Sequence, residues 1–183
     1  MSIATRTTLP TGTWNVDPSH SNVEFSVKHL GIATVRGAFN EFEGTFEVDD
    51  DGSARARGTV KAASVDTNED ARDTHLRSED FFHAEVHPEL ELESTEIRPL
   101  DEDTFEIHGE LTMRGVTRPV VLNAEVQGTE TDPWGNERVG LEASGQLNRG
   151  DWGMTFNQAL GSGNMLVSDK VKLTLDISAV KQS

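Results

Sequence analysis

One feature constrains this chain more than any other: residues of alternating polarity, in runs of five to ten, separated by turn signals. In NVEFSVK, Val23, Phe25 and Val27 share one face, and Glu24, Ser26 and Lys28 share the other. The sequence from Phe42 to Asp51 puts Phe42, Phe46 and Val48 on one side and stops at Asp51-Gly52. The pattern recurs with Leu90 and Leu92; with Phe105, Ile107, Leu111 and Met113; and with Val120, Leu122, Ala124 and Val126. Two last runs align Val139, Leu141, Ala143 and Leu147, then Val171, Leu173, Leu175 and Ile177. A period of two is the signature of a strand with one buried face. Breaks fall at Asp17-Pro18, Pro99, Gly115 to Pro119, Asp132 to Asn136 and Gly161 to Asn164, residue types that turns require. Seven or eight antiparallel strands of this kind must close on each other as a sandwich or a barrel. Gly37, Gly44, Gly109 and Gly145 lie in phase with the apolar faces, where glycine permits a barrel corner or leaves interior room.

With 183 residues and no internal repeat or linker, one domain is expected. It runs from 14 to 183, behind a flexible polar arm over 1–13. Only residues 67–83 break the strand rhythm. Thr67 and Asp70 are spaced as a capping box, and acidic residues crowd the turn that follows. One short helix is expected near 68–83, ending before Pro88, with its acidic residues facing water.

The chain carries 32 Asp plus Glu against 16 Lys plus Arg, a net charge of −16. Such a field argues against nucleic-acid binding and against docking on anionic lipid. With no cysteine, disulfides and thiolate chemistry are excluded. No run approaches the ~20 apolar residues of a membrane span, so no stable membrane insertion is expected. No signal-peptide core is present either, and a cytoplasmic location is the expectation.

Nucleotide-binding and hydrolase signatures are missing. His83 and His87 are four apart, but Pro88 pushes His87 toward an extended conformation, so the two are not expected to share a face and no metal is assigned. Asp17, Ser19, His20 and Ser21 hold the ingredients of a nucleophilic site, and turn chemistry explains them as well. The aromatics are more telling. Phe25, Phe39, Phe42, Phe46 and Phe105 fall on inward faces, and Trp152 and Phe156 bracket a glycine-rich segment. An eight-stranded barrel is just wide enough to hold one small ligand.

The segments WNVDPSHS (14–21), FSVKHLG (25–31), VRGAFNEFEG (35–44), SVDTN (64–68) and RDTHLRSEDFF (72–82) follow one another along the chain. HPEL (87–90), GELTMRGVT (109–117), RGDWGM (149–154) and VSDKVKL (167–173) continue the series. In this order and wording they resemble the YceI-like family, a lipocalin-like group of polyisoprenoid-binding proteins. What the resemblance implies is an all-β fold, a single antiparallel eight-stranded lipocalin-like barrel, enclosing a long apolar ligand. Many members carry export signals, a departure for this chain.

On that resemblance, the tail of a polyisoprenoid, such as an isoprenoid quinone or prenyl diphosphate, would contact Phe25, Val27, Phe39, Phe42, Phe46, Leu76 and Phe81. It would also contact Phe82, Leu111, Met113, Leu147, Trp152, Phe156 and Leu173. Its head group would meet His20, Arg72, His75 and Arg149, with Arg77 nearby. The leading expectation is non-catalytic binding, transport or storage of such a lipid with no cofactor. Two alternatives stay open: an enzyme acting on an isoprenoid or quinone through His20, His75 and Arg149, and a stress-related interaction protein with a filled core. A homodimer is left open.

Overall fold

The computed structural model describes residues 9–163 and 165–183. Its strands are β1 (Gly12–Val16), β2 (Asn22–His29), β3 (Ala33–Phe39), β4 (Phe42–Val48), β5 (Ala54–Lys61) and β6 (Val65–Asp66). After helix α1 (Asp70–Arg77) come β7 (Glu89–Pro99), β8 (Thr104–Met113), β9 (Val116–Thr131), β10 (Glu137–Asn148) and β11 (Val167–Lys181).

The first six strands are halves of three long, bent ones. β1 and β2 lie end to end along β11, pairing Trp14 with Lys181 and Leu173 with Phe25. β3 and β4 continue outward from β2 and β1, and β6 and β5 from β3 and β4. Counted this way, eight antiparallel strands close into a barrel through the β1–β11 pairing. The bends have local causes. Pro18 cannot donate to a ladder, and Asp17 accepts from the Ser19 backbone N–H at 3.0 Å, forming the turn Pro18–His20. A second short turn, Ala62–Ser64, separates β5 from β6.

Because β6 is only two residues long, the wall between it and β7 is completed by residues 67–88. Helix α1 is shorter than expected and starts elsewhere. Glu69, not Thr67, is its cap, accepting from the Arg72 N–H at 2.8 Å. It stops at Arg77 because the Ser78 hydroxyl donates to the His75 carbonyl at 2.5 Å, competing with the helical ladder. The chain then folds back, with Phe82 N–H on Leu76 O and Ala84 N–H on Arg77 O. Arg114, in the β8–β9 turn, clamps this return by donating to the carbonyls of Glu79 and Phe81, both at 2.6 Å.

Asp73 corrects the expectation that the acidic residues here face water. It is 6% exposed and accepts from Thr67 N–H at 2.9 Å and from Thr67 Oγ1 at 2.5 Å. The helix is thereby pinned to the end of β6.

The core lies in two layers. At the floor end, Trp14 stacks on Phe46 with ring centroids 6.0 Å apart, over Phe105, Leu122 and Val139. Leu9 joins this cluster and Trp14 Nε1 donates to Pro10 O at 3.0 Å. Of the expected N-terminal arm, residues 1–8 lie outside the described residues, while Gly12 and Thr13 already belong to β1. At the lid end, Phe39, Leu111, Met113, Trp152 and Met154 pack beneath the helix. Gly37 does not leave empty space: a Cβ there would stand 2.4 Å from Phe25 Cζ, so the absent side chain is what lets the Phe25 ring lie flat across the sheet.

Candidate ligand-binding cavity

Between the two layers the barrel encloses a cavity of about 440 Å³, within the ~300–1,000 Å³ typical of ligand sites. Along β11 its wall runs from Val167 to Ile177. At ~3.3 Å per residue and a strand tilt near 40°, that is about 25 Å along the axis. The interior is therefore not filled, and the site is long and narrow.

The inward faces that alternation marks form the apolar strand wall of this cavity. Phe25 and Val27 of β2 face it beside Leu173 of β11 and Leu147 of β10. Phe39, Phe42 and Phe46 continue the wall, with Leu111 and Met113 of β8 opposite. Leu76 of α1, Phe81 and Phe82 of the return, and Phe156 line the lid end. Aromatic contacts link these: Phe25 to Phe39 at 5.6 Å, Phe39 to Phe82 at 5.4 Å, and Phe81 to Phe156 at 5.5 Å between centroids.

Trp152 is a correction. It is 2% exposed, lies in the lid-end core and does not line the cavity. Its Nε1–H donates to Leu111 O at 2.9 Å, a partner a buried indole requires. Alternation could not place it, because it sits in the short turn Arg149–Trp152 rather than on a strand.

The polar candidates divide. Arg149 lines the cavity and is 4% exposed. Its guanidinium donates to Ser168 O at 2.9 Å, Met154 O at 2.6 Å and Val167 O at 3.4 Å. Asp169 stands 3.7 Å away, beyond hydrogen-bond reach. Burial pulls the Arg149 pKa down, partly opposed by Asp169. A guanidinium has five N–H donors, so these three bonds leave capacity for an anion or carbonyl. Arg72 also lines the cavity, but its Nε and Nη2 are held by Thr67 Oγ1 and O, both at 2.7 Å. His75 lies edge-on to Phe81 and Phe156, at 5.0 and 4.7 Å between centroids, and its Nε2 meets Asp80 at 2.8 Å.

His20 does not reach the cavity; its exposed side chain stands on the outside of the barrel. Its Nδ1 contacts both Asp17 at 2.9 Å and Ser19 at 3.1 Å. A nucleophile's base needs its two ring nitrogens divided between acid and hydroxyl, so this cluster is turn structure. Asp17 also accepts from Arg138, which bridges to Asp132 at 2.8 Å. Bonds from His20, then Ser19 and Arg138, hold the Asp17 pKa far below the carboxylate range. The Arg138 bond, foremost, lowers that of Asp132 to about 2. His20, His75 and Arg149 thus do not converge on one mouth, as an enzyme built on them would need.

Residues outside the site expectation also form the wall. Leu92, Phe105, Ile107, Leu141, Leu175 and Ile177 lie on the inward faces that alternation marks, without being among the expected ligand contacts, and Met154 and Leu166 carry no such signal. His83 and His87 do come together, at 5.8 Å between rings, because the His87 N–H bonds His83 O at 2.8 Å in a single helical turn. Among the described residues no cluster of three or more potential metal ligands forms, and no helix is long and apolar enough to cross a membrane.

A closed up-and-down barrel around one elongated apolar cavity defines a lipocalin-like architecture. The YceI-like domain matches residues 14–179, and the chain belongs to that family. A UPF0312 protein of Photorhabdus laumondii is 38% identical over 170 residues, covering 92% of this chain and 85% of its own. The YceI protein of Campylobacter jejuni superposes with a TM-score of 0.74 at 29% identity, over 85% of this chain and 90% of that one. A polyisoprenoid-binding domain from Saccharophagus degradans shares the fold, with a TM-score of 0.70 at 15% identity over 92% and 98% of the two chains.

Proposed function

We propose that this protein binds a polyisoprenoid or similar long-chain lipid inside the barrel, without chemical conversion, and serves its transport or storage. The observation that carries this reading is the cavity itself, ~25 Å long by the strand geometry above and walled by Phe25, Val27, Leu111, Leu173 and their neighbours. The name of the Saccharophagus domain, which shares the fold, agrees with an isoprenoid tail. Burial of about 300 Å² of tail at ~25 cal/mol per Å² contributes about 7 kcal/mol before ordering costs. The tail extends toward the Trp14–Phe46 floor, and the head group remains at the lid end. There Arg149 offers a buried cation, His75 and Arg72 line the same cavity, and charge-assisted bonds suit a phosphate or a quinone carbonyl.

Native mass spectrometry of protein purified without detergent, before and after addition of a prenyl diphosphate, tests the proposal. A one-to-one adduct is expected. A protein that carries no lipid and takes up none would refute it.

A further inference from the structure

The outer wall of the barrel beside the lid is unlike the rest of this acidic molecule. Lys172 of β11, Ser26 of β2 and Arg36 of β3 form one cross-strand row. Lys170 and Lys28 lie two residues nearer the lid on their own strands, and all four cations are exposed. With strands ~4.8 Å apart and residues two apart separated by ~7 Å, the patch is about 10 Å by 7 Å. None of the four makes an ion pair among the described residues; Lys28 donates instead to Thr34 Oγ1 at 2.9 Å. The next rows toward the floor carry Glu24, Asp176 and Glu142. Asp169, beside Lys170, is exposed and lies 3.7 Å from the buried Arg149 guanidinium, whose charge offsets its own. On the opposite wall β7 presents Glu89, Glu91 and Glu93. The charge is therefore segregated, and at physiological salt a field decays within ~8 Å. A surface meeting this wall feels these four cations and their nearest carboxylates more strongly than the net charge of −16 carried by the whole molecule.

The turn that tips this wall adds an apolar contact. Ile32 is 80% exposed and Met165 is 50% exposed. The segments that hold them are joined by the Leu30 N–H bond to Leu166 O at 3.0 Å, and Leu166 lines the cavity. Exposed aliphatic side chains beside a basic patch fit an interface that is anionic at its surface and apolar just beneath.

We propose that the β2–β3–β11 wall and the Ile32 turn dock on a bilayer containing anionic lipid, which holds the lid end of the barrel against the membrane. Docking rests on the lipid-binding reading for its use, since it would let cargo pass without crossing water. It does not rest on that reading for its measurement. The test is co-sedimentation of lipid-free protein with vesicles of phosphatidylcholine alone, or mixed two to one with phosphatidylglycerol. Binding is expected only to the mixed vesicles and is reversed by high salt. The double variant Arg36→Gln, Lys172→Gln, neither of which lines the cavity, binds about thirty-fold more weakly. Ile32→Asn binds about tenfold more weakly, while Arg98→Gln, on β7, binds as the parent does.

Failure of the parent to bind mixed vesicles would overturn the proposal. So would equal binding by the Arg36, Lys172 variant, or retention on a soluble polyanion without vesicle binding. Lipid uptake in the absence of vesicles is read separately by native mass spectrometry, so the cavity reading and the docking reading can fail independently.

Discussion

Replacing Asp73 by alanine should loosen the lid without touching the barrel. The side chain accepts two bonds from Thr67, at 2.9 and 2.5 Å, and both residues are buried. Bonds to a charged acceptor are worth about 1.5–3 kcal/mol each, and the orphaned Thr67 N–H adds a desolvation cost. Thr67 Oγ1 still accepts from Arg72, which limits the loss to about 3–4 kcal/mol. For a domain of this size that lowers Tm by about 10 °C. Asp73→Asn keeps one acceptor without its charge and should lose about half as much. Hydrogen exchange should show the effect most strongly at the lid, with the amides of 67–78 accelerated more than those of β8 to β11, which follow only the global loss. A melt within about 2 °C of the parent, or equal exchange over 67–78, would refute the view that this carboxylate pins the lid.

Three further outcomes follow from the same geometry. Leu173→Asp places a carboxylate mid-wall, where an unpaired charge against a lipid tail costs several kcal/mol; prenyl-lipid uptake should fall at least ~100-fold, with the circular dichroism of the barrel retained. Trp152→Phe removes the bond to Leu111 O, so a loss of about 1 kcal/mol is expected in urea denaturation, with uptake unaltered. Asp132 has its pKa lowered from 3.8 to about 2 in the folded state. Its contribution to stability is therefore full above the unfolded value and disappears as pH falls through the folded one. The gap between parent and Asp132→Asn urea midpoints should be constant near neutrality and close between about pH 4 and pH 2.

The strand framework was legible because the large apolar residues of the strand wall follow period two: Phe25 and Val27, Leu111 and Met113, and Leu173 and Leu175 all face inward. Its closure into eight long strands was not readable from alternation, since it depends on Pro18 and the Ala62–Ser64 turn bending β1–β2 and β5–β6 without ending them. Alternation also fails off the strands. Trp152, in a short turn, packs in the lid-end core instead of facing the ligand, and Asp73 is buried on its partner Thr67 instead of solvated. Leu92, Phe105 and Ile107 show a further limit. Alternation says which face is inward, but only the shape of the interior separates wall from packed core. The same holds for charge. The count of acids and bases hides the segregation of Lys28, Arg36, Lys170 and Lys172, which appears only when β11, β2 and β3 are laid side by side.

The most direct measurement is a crystal structure of the protein saturated with a prenyl lipid brominated at its tail end. Anomalous density inside the barrel near the Trp14–Phe46 floor, with the head group at Arg149, is the predicted result. Bromine density outside the barrel, or an interior collapsed onto Phe25 and Leu173 with no lipid in it, would contradict the account.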